Sequence, residues 1–139
     1  MKENLVRASK STIEFLTEYY AAMEAKDTER CRSYYTNDMT VTFANAPKLE
    51  GQDAFITTLS GLLDQIESIH HDVIAAWEED DDVLIFESLG TWTLQDGSSL
   101  SIPACSVCRM VDGKFADQRI YVDNAPLFAA LQHDETVQA

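Results

Sequence analysis

The sequence predicts an α+β fold in which three helices of the N-terminal half pack on the concave face of a strongly curved, mainly antiparallel sheet, together forming a conical barrel. Three observations lead there. Apolar residues recur at helical spacing up to Ile66, the chain from His70 onward reads as consecutive strands, and two Asp-Gly pairs between those strands supply the positive φ that tight hairpins need. Helices first and an antiparallel meander afterwards is the order of an α+β domain.

Ile13, Phe15, Leu16, Tyr19, Tyr20 and Met23 form the stripe of the first helix, with Ser11 or Thr12 able to cap it. Asp27 can cap a short second helix carrying Cys31, Tyr34 and Tyr35, which Asn37-Asp38 ends. Thr40-Val41-Thr42-Phe43 is a short β-rich segment, and Pro47 marks a loop. Gly51-Gln52-Asp53 opens the third helix, with Phe55, Ile56, Leu59, Leu62, Leu63 and Ile66 as its apolar face. Strands follow near His70 to Trp77, Val83 to Leu94, Ser99 to Val111 and Lys114 to Asp123, separated by Asp80-Asp81-Asp82, Asp96-Gly97 and Asp112-Gly113.

The 139 residues fit a single domain spanning 1–139, large enough to bury a core without staples. Ten Lys and Arg against 24 Asp and Glu leave a net charge of −14, which repels nucleic-acid phosphates and anionic lipid. Neither nucleic acid nor membrane is therefore expected as a partner, and no stretch approaches the roughly 20 apolar residues of a bilayer span. Three cysteines without framework spacing, and a start at Met1-Lys2-Glu3-Asn4-Leu5 without the apolar core of a signal peptide, point to the cytoplasm. Cys105 and Cys108 would face opposite sides of a strand, and the Asp80-Asp81-Asp82 run lacks the alternating ligands of a calcium loop, so no metal site is expected.

Tyr19-Tyr20, the run from Tyr35 to Val41, Gly51, Trp77, Asp96-Gly97, Pro103, Asp112-Gly113-Lys114 and Tyr121-Val122-Asp123 occur in an order and spacing that resemble the nuclear transport factor 2-like superfamily, in its SnoaL-like and ketosteroid-isomerase-like branch. The resemblance covers nearly the whole chain. It implies a cone whose cavity takes a hydrophobic small molecule, a homodimer through the sheet, and cofactor-independent acid/base chemistry of the cyclase, isomerase or dehydratase kind. The alternative is a ligand-binding or accessory module of the same fold without turnover, since function lives in sites grafted onto a fold.

The better-understood constellations of that superfamily are incomplete in this chain. Ketosteroid isomerase combines an aspartate base with a tyrosine and a protonated aspartate. Here Tyr19 matches the tyrosine, but Thr42-Phe43-Ala44-Asn45 and the stretch from Gly97 to Val111 offer no carboxylate. The arginine that epoxide hydrolases of this fold place on the third strand is missing from Glu87-Ser88-Leu89-Gly90-Thr91-Trp92. SnoaL-like polyketide cyclases, which place an acid/base aspartate near the end of the last strand, are matched best, through Asp123. The resemblance thus nominates Asp123 and Tyr19 as catalytic, with Trp92, His71, Tyr121, Arg119 and Phe43 toward substrate. Strict alternation leaves a second reading open: Asp117, Arg119, Tyr121 and Asp123 share one strand face, which is wet unless a bulge turns Asp123 inward. Tyr19, Trp92 and His71 likewise have structural readings, as a core tyrosine, a core aromatic and a hydrogen-bonded strand histidine.

Overall fold

Each helix starts where a side chain or a glycine satisfies the chain's change of direction. In the computed structural model, which describes residues 6–138 and the side chains of 7–132, α1 spans Lys10–Glu24 behind Ser9, whose Oγ accepts the Thr12 N–H at 3.2 Å. The cap is thus Ser9, ahead of Ser11 and Thr12, because its extended backbone aims the hydroxyl at the first turn. Asp27 caps α2, Thr28–Arg32, by accepting the Arg30 N–H at 3.1 Å. Gly51 takes φ +88° ahead of α3, Gln52–Asp64. A side chain there would be strained.

Tyr34 and Tyr35, expected on the second helix, lie beyond it. Ser33 ends α2, the Tyr34 carbonyl accepts the Phe115 N–H at 2.9 Å, and Tyr35 opens β2, Tyr35–Phe43. Pairing with a distant strand overrides the local helical pattern here. The meander comprises β4, Ile66–Glu79; β5, Val83–Leu94; β6, Ser99–Val111; and β7, Lys114–Val122. Ile66 therefore belongs to β4 and not to the third helix. Asp112 and Gly113 take φ +53° and +75°, the two successive positive values that a tight turn between β6 and β7 requires.

Two short strands and a fourth helix carry too little periodic pattern to stand out in the sequence: β1, Val6–Arg7; β3, Leu49–Glu50; and α4, Ala125–Gln138. The seven-stranded sheet runs β1-β4-β5-β6-β7-β2-β3, with β1 parallel to β4 and β2 parallel to β7 and the other neighbours antiparallel. The α+β cone is the expected one. Met1 to Leu5, on which the leader-peptide reading rests, lie outside the described residues.

Alternation decides what faces the cone. On β5, Leu84, Phe86, Ser88, Gly90, Trp92 and Leu94 are buried, while Glu87 is exposed on the outer face. They meet Leu16 and Tyr19 of α1 and Phe55, Ile56, Leu59 and Leu63 of α3 in one core. On β4, register shifts fall between Ile66 and Ser68 and between Val73 and Ala75. Each inserts a residue, reverses the parity and bends the strand. Between them Ile69 and His71 face inward, and after the second shift Ala76 does. Leu127 and Leu131, one helical turn apart on α4, are buried in the same core.

Candidate functional site

Where α1 and α3 diverge from the sheet, their side chains leave a cavity of about 150 Å³. An apolar hole of about that size accommodates a benzene-sized molecule. Its apolar wall includes Phe43, Leu49, Leu62, Ile69, Ile102, Ile120, Val122 and Leu127, and Tyr19, Tyr20, Thr58, His71, Ser88, Trp92, Ser106, Gln118 and Asn124 bring polar groups to it. Among the described residues no Asp, Glu, Lys or Arg lines it. Nor does any group of three or more metal-ligating side chains occur among them.

Tyr19 belongs to a buried hydrogen-bond chain. Tyr35 donates to Gln118 Oε1 at 2.5 Å, so the 2.7 Å contact between the two phenols is filled by the Tyr19 proton. The chain joins α1, β2 and β7. Burial raises the pKa values of both phenols well above the ordinary tyrosine value. Tyr19 thus lines the cavity with its proton already donated to Tyr35, and Gln118, also on the wall, retains two amide N–H donors.

His71 occupies the middle of the inner wall. Its ring stacks on Tyr20 with centroids 4.2 Å apart and planes 19° apart, and Tyr20 donates to Ser88 Oγ at 3.4 Å. The backbone N–H of His71 donates to Glu24 Oε1 at 2.8 Å, whereas its Nδ1 is buried without a hydrogen-bond partner. Burial, with the neighbouring His70 adding to it, pushes the imidazole pKa down to about 4. The ring is neutral at physiological pH. His70 points the other way, into solvent between Glu24 at 2.8 Å and Asp72 at 3.1 Å, and its pKa is raised by those carboxylates, with Asp72 the larger influence.

Four nominated residues, Tyr19, Trp92, His71 and Phe43, line this cavity. Three do not. Arg119 is exposed and pairs with Asp117 Oδ2 at 3.4 Å on the outer face. Tyr121, 56% exposed, borders a shallow outer groove with Ile74, Leu89 and Pro103. Asp123 is exposed at the start of α4, where its Oδ1 accepts the Ala125 N–H at 3.2 Å. The reason is register: β6 and β7 pair without interruption at Ala104 with Val122 and Cys105 with Tyr121, and the one shift between them lies at the far end, between Arg109 and Met110. No bulge turns Asp123 inward, so Val122 faces the cavity in its place.

Tyr20, Ser88, Gly90, Gln118 and Asn124 also line the cavity and are not among the site residues nominated from the sequence. The alternation of β5 could have indicated Ser88 and Gly90, four and two residues before Trp92 on one face. Nothing local distinguishes Gln118, whose part depends on a tyrosine 83 positions earlier.

Cone, inner cavity and strand order define a class of proteins, and the comparisons place the chain within it. The SnoaL-like domain family matches residues 16–118, and the chain belongs to that family. A comparison with curated proteins finds no match. Among solved structures, TerC co-crystallised with polyporic acid superposes with a TM-score of 0.75 at 15% identity, over 87% of this chain and 98% of that one. A limonene-epoxide-hydrolase-like epoxide hydrolase of Mycobacterium tuberculosis gives 0.70 at 14% identity, over 88% and 90%. A Jannaschia protein assigned by name to the SnoaL-like polyketide cyclases gives 0.72 at 16% identity, over 86% and 90%. At these identities the likeness is one of fold.

Proposed function

We propose that this chain binds a single-ring, mostly apolar small molecule in the cone cavity, and that recognition, without turnover by a wall carboxylate, is its core activity. One observation carries the reading: the cavity is walled by aliphatic and aromatic groups with a few neutral polar atoms, and no carboxylate among the described residues reaches it. The acid/base aspartate of the cyclase comparison has its counterpart in Asp123, which faces solvent. Trp92 reports on the cavity once Trp77, on another strand, is replaced. In Trp77→Phe protein, α-methylstyrene is expected to change the Trp92 emission saturably; a strictly linear, unsaturable response would remove the binding reading.

A second reading is turnover of the same ligand by proton transfer, in keeping with the cyclase and epoxide hydrolase among the structural relatives. It is favoured by the neutral His71, since a neutral imidazole can polarise a carbonyl without giving up a proton while solvent hydroxide takes the proton from the α-carbon and solvent returns one there. Deuterium uptake from heavy water into the methyl group of acetophenone tests it. Exchange accelerated by the protein supports turnover, and exchange at the rate of protein-free buffer rejects it.

We infer in addition that a second copy covers the outer face of the sheet. Ile74 and Tyr121 are large apolar groups 39% and 56% exposed there, and Glu87 and Arg119 place opposite charges on the same face. A two-fold axis passing between them would bring each charge toward its opposite on the other copy.

A further inference from the structure

Gly90 and His71 are directly paired residues of β5 and β4, and Trp92 follows Gly90 on the same strand face. A glycine at that position lets the imidazole lie against the β5 backbone. A methyl group added to Gly90 would come to 3.4 Å from His71 Nε2 and equally to 3.4 Å from Trp92 Nε1. All three residues line the cavity. Two ring nitrogens from neighbouring strands therefore converge over one backbone position that carries no side chain.

The proton of His71 can be assigned by elimination. A neutral imidazole has one N–H and one bare nitrogen. Nδ1 is buried and unpartnered, and a buried N–H without an acceptor is the rarer and costlier orphan than a bare lone pair. The proton is thus best placed on Nε2, on the Gly90 side. Indole nitrogen is a donor in every state. Both nitrogens over Gly90 are then donors, and among the described residues neither the Trp92 indole nor the His71 ring makes a hydrogen bond that would occupy it.

We propose that His71 Nε2–H and Trp92 Nε1–H form a two-donor seat for the oxygen of a carbonyl-bearing ring compound, with Gly90 keeping the seat open. The proposal rests on the cavity being a ligand site, and it narrows the ligand class from apolar rings to ring ketones, aldehydes or quinones. The rest of the wall suits that chemistry, since the ring lies among Ile69, Ile102 and Leu127 while its oxygen meets the two donors. A hydroxyl-only ligand fits less well, because it brings a proton to a place that already has two.

Acetophenone and α-methylstyrene test it, because they share one shape and differ only in an oxygen against a methylene group. Wild-type protein is expected to bind the ketone about tenfold more tightly, the return on one or two neutral hydrogen bonds at a desolvated site. The carbonyl stretch of bound acetophenone is expected to move to lower frequency than in hexane. In Trp92→Phe, and independently in Gly90→Ala, the affinity ratio should fall toward one and the stretch should return toward its hexane position. Binding of α-methylstyrene with no preference for the ketone would overturn the seat and leave the cavity reading standing. Binding of neither probe would overturn both, and a ketone preference that persists in both variants would overturn the assignment to these two nitrogens.

Discussion

At the scale of single residues, adjacent histidines respond to pH with opposite sign. The folded-state pKa of His71 is lowered to about 4, against about 6.5 in the unfolded chain. The unfolded state therefore binds the extra proton first, and stability falls as pH drops from about 6.5 to about 4, by on the order of 3 kcal/mol. Urea unfolding at pH 7 and pH 4.5 should show this loss, and His71→Phe should shrink it relative to wild type. His70 has a raised folded pKa, so its contribution is fully present below the unfolded value and disappears as pH rises through the folded one. Its exposure keeps that contribution small. Asp123 offers a contrasting test. Because its carboxylate faces solvent and accepts only the Ala125 N–H, Asp123→Asn is expected to leave probe binding unchanged and to cost about 0.5 kcal/mol or less of stability through the start of α4. A tenfold or larger loss of α-methylstyrene affinity in that variant would contradict the outward orientation.

Among the elements, the hydrogen-bond chain from α1 through β2 to β7 has a direction, and that direction ranks two variants. Tyr35→Phe removes the hydroxyl that both donates to Gln118 and accepts from Tyr19, so a buried acceptor and a buried donor lose their partners together. It should cost about 2 to 4 kcal/mol. Tyr19→Phe removes only the terminal donor and leaves Tyr35 bonded to Gln118, for about 1 kcal/mol. Chemical denaturation of both variants measures the order, and equal losses would mean the chain runs the other way. A comparable contrast holds for turns: Gly113, at φ +75° between β6 and β7, should lose about 1 kcal/mol on substitution by Ala, whereas Gly61, in α3 with open space around its Cα, should gain up to about 1 kcal/mol from the same change.

For the whole molecule, the proposed second copy on the outer face of the sheet sets the expected oligomeric state. A standard two-fold interface buries about 800 Å² on each partner, and the groove bordered by Tyr121, Ile74, Leu89 and Pro103 lies on the face proposed for it. Analytical ultracentrifugation is expected to give a dimer, and Tyr121→Glu a monomer that retains probe binding in the cavity on the opposite face. A wild-type monomer at micromolar concentration would remove the second copy from this face. With a net charge of −14, each copy also repels its like, so dimerisation should strengthen as salt rises. No described helix is long and apolar enough to cross a membrane.

Periodicity and turn chemistry by themselves determined the order of the main helices and strands. The stripe of α1, the glycine before α3, and the Asp-Gly punctuation of the meander are local properties that act within a few residues, so β5 and β6 run over the ranges read from the sequence. Strand parity likewise already put Asp123 beside Arg119 and Tyr121 on one face, and that face is the outer one. Tertiary structure decided everything that depends on two distant segments. Tyr35 left the helical pattern for a strand because Phe115 pairs with it, and the register shifts of β4 set which side His71 takes. The seat over Gly90 exists only where β4 and β5 align. A cavity is the space that packed elements leave between them, and no window of sequence encodes that space.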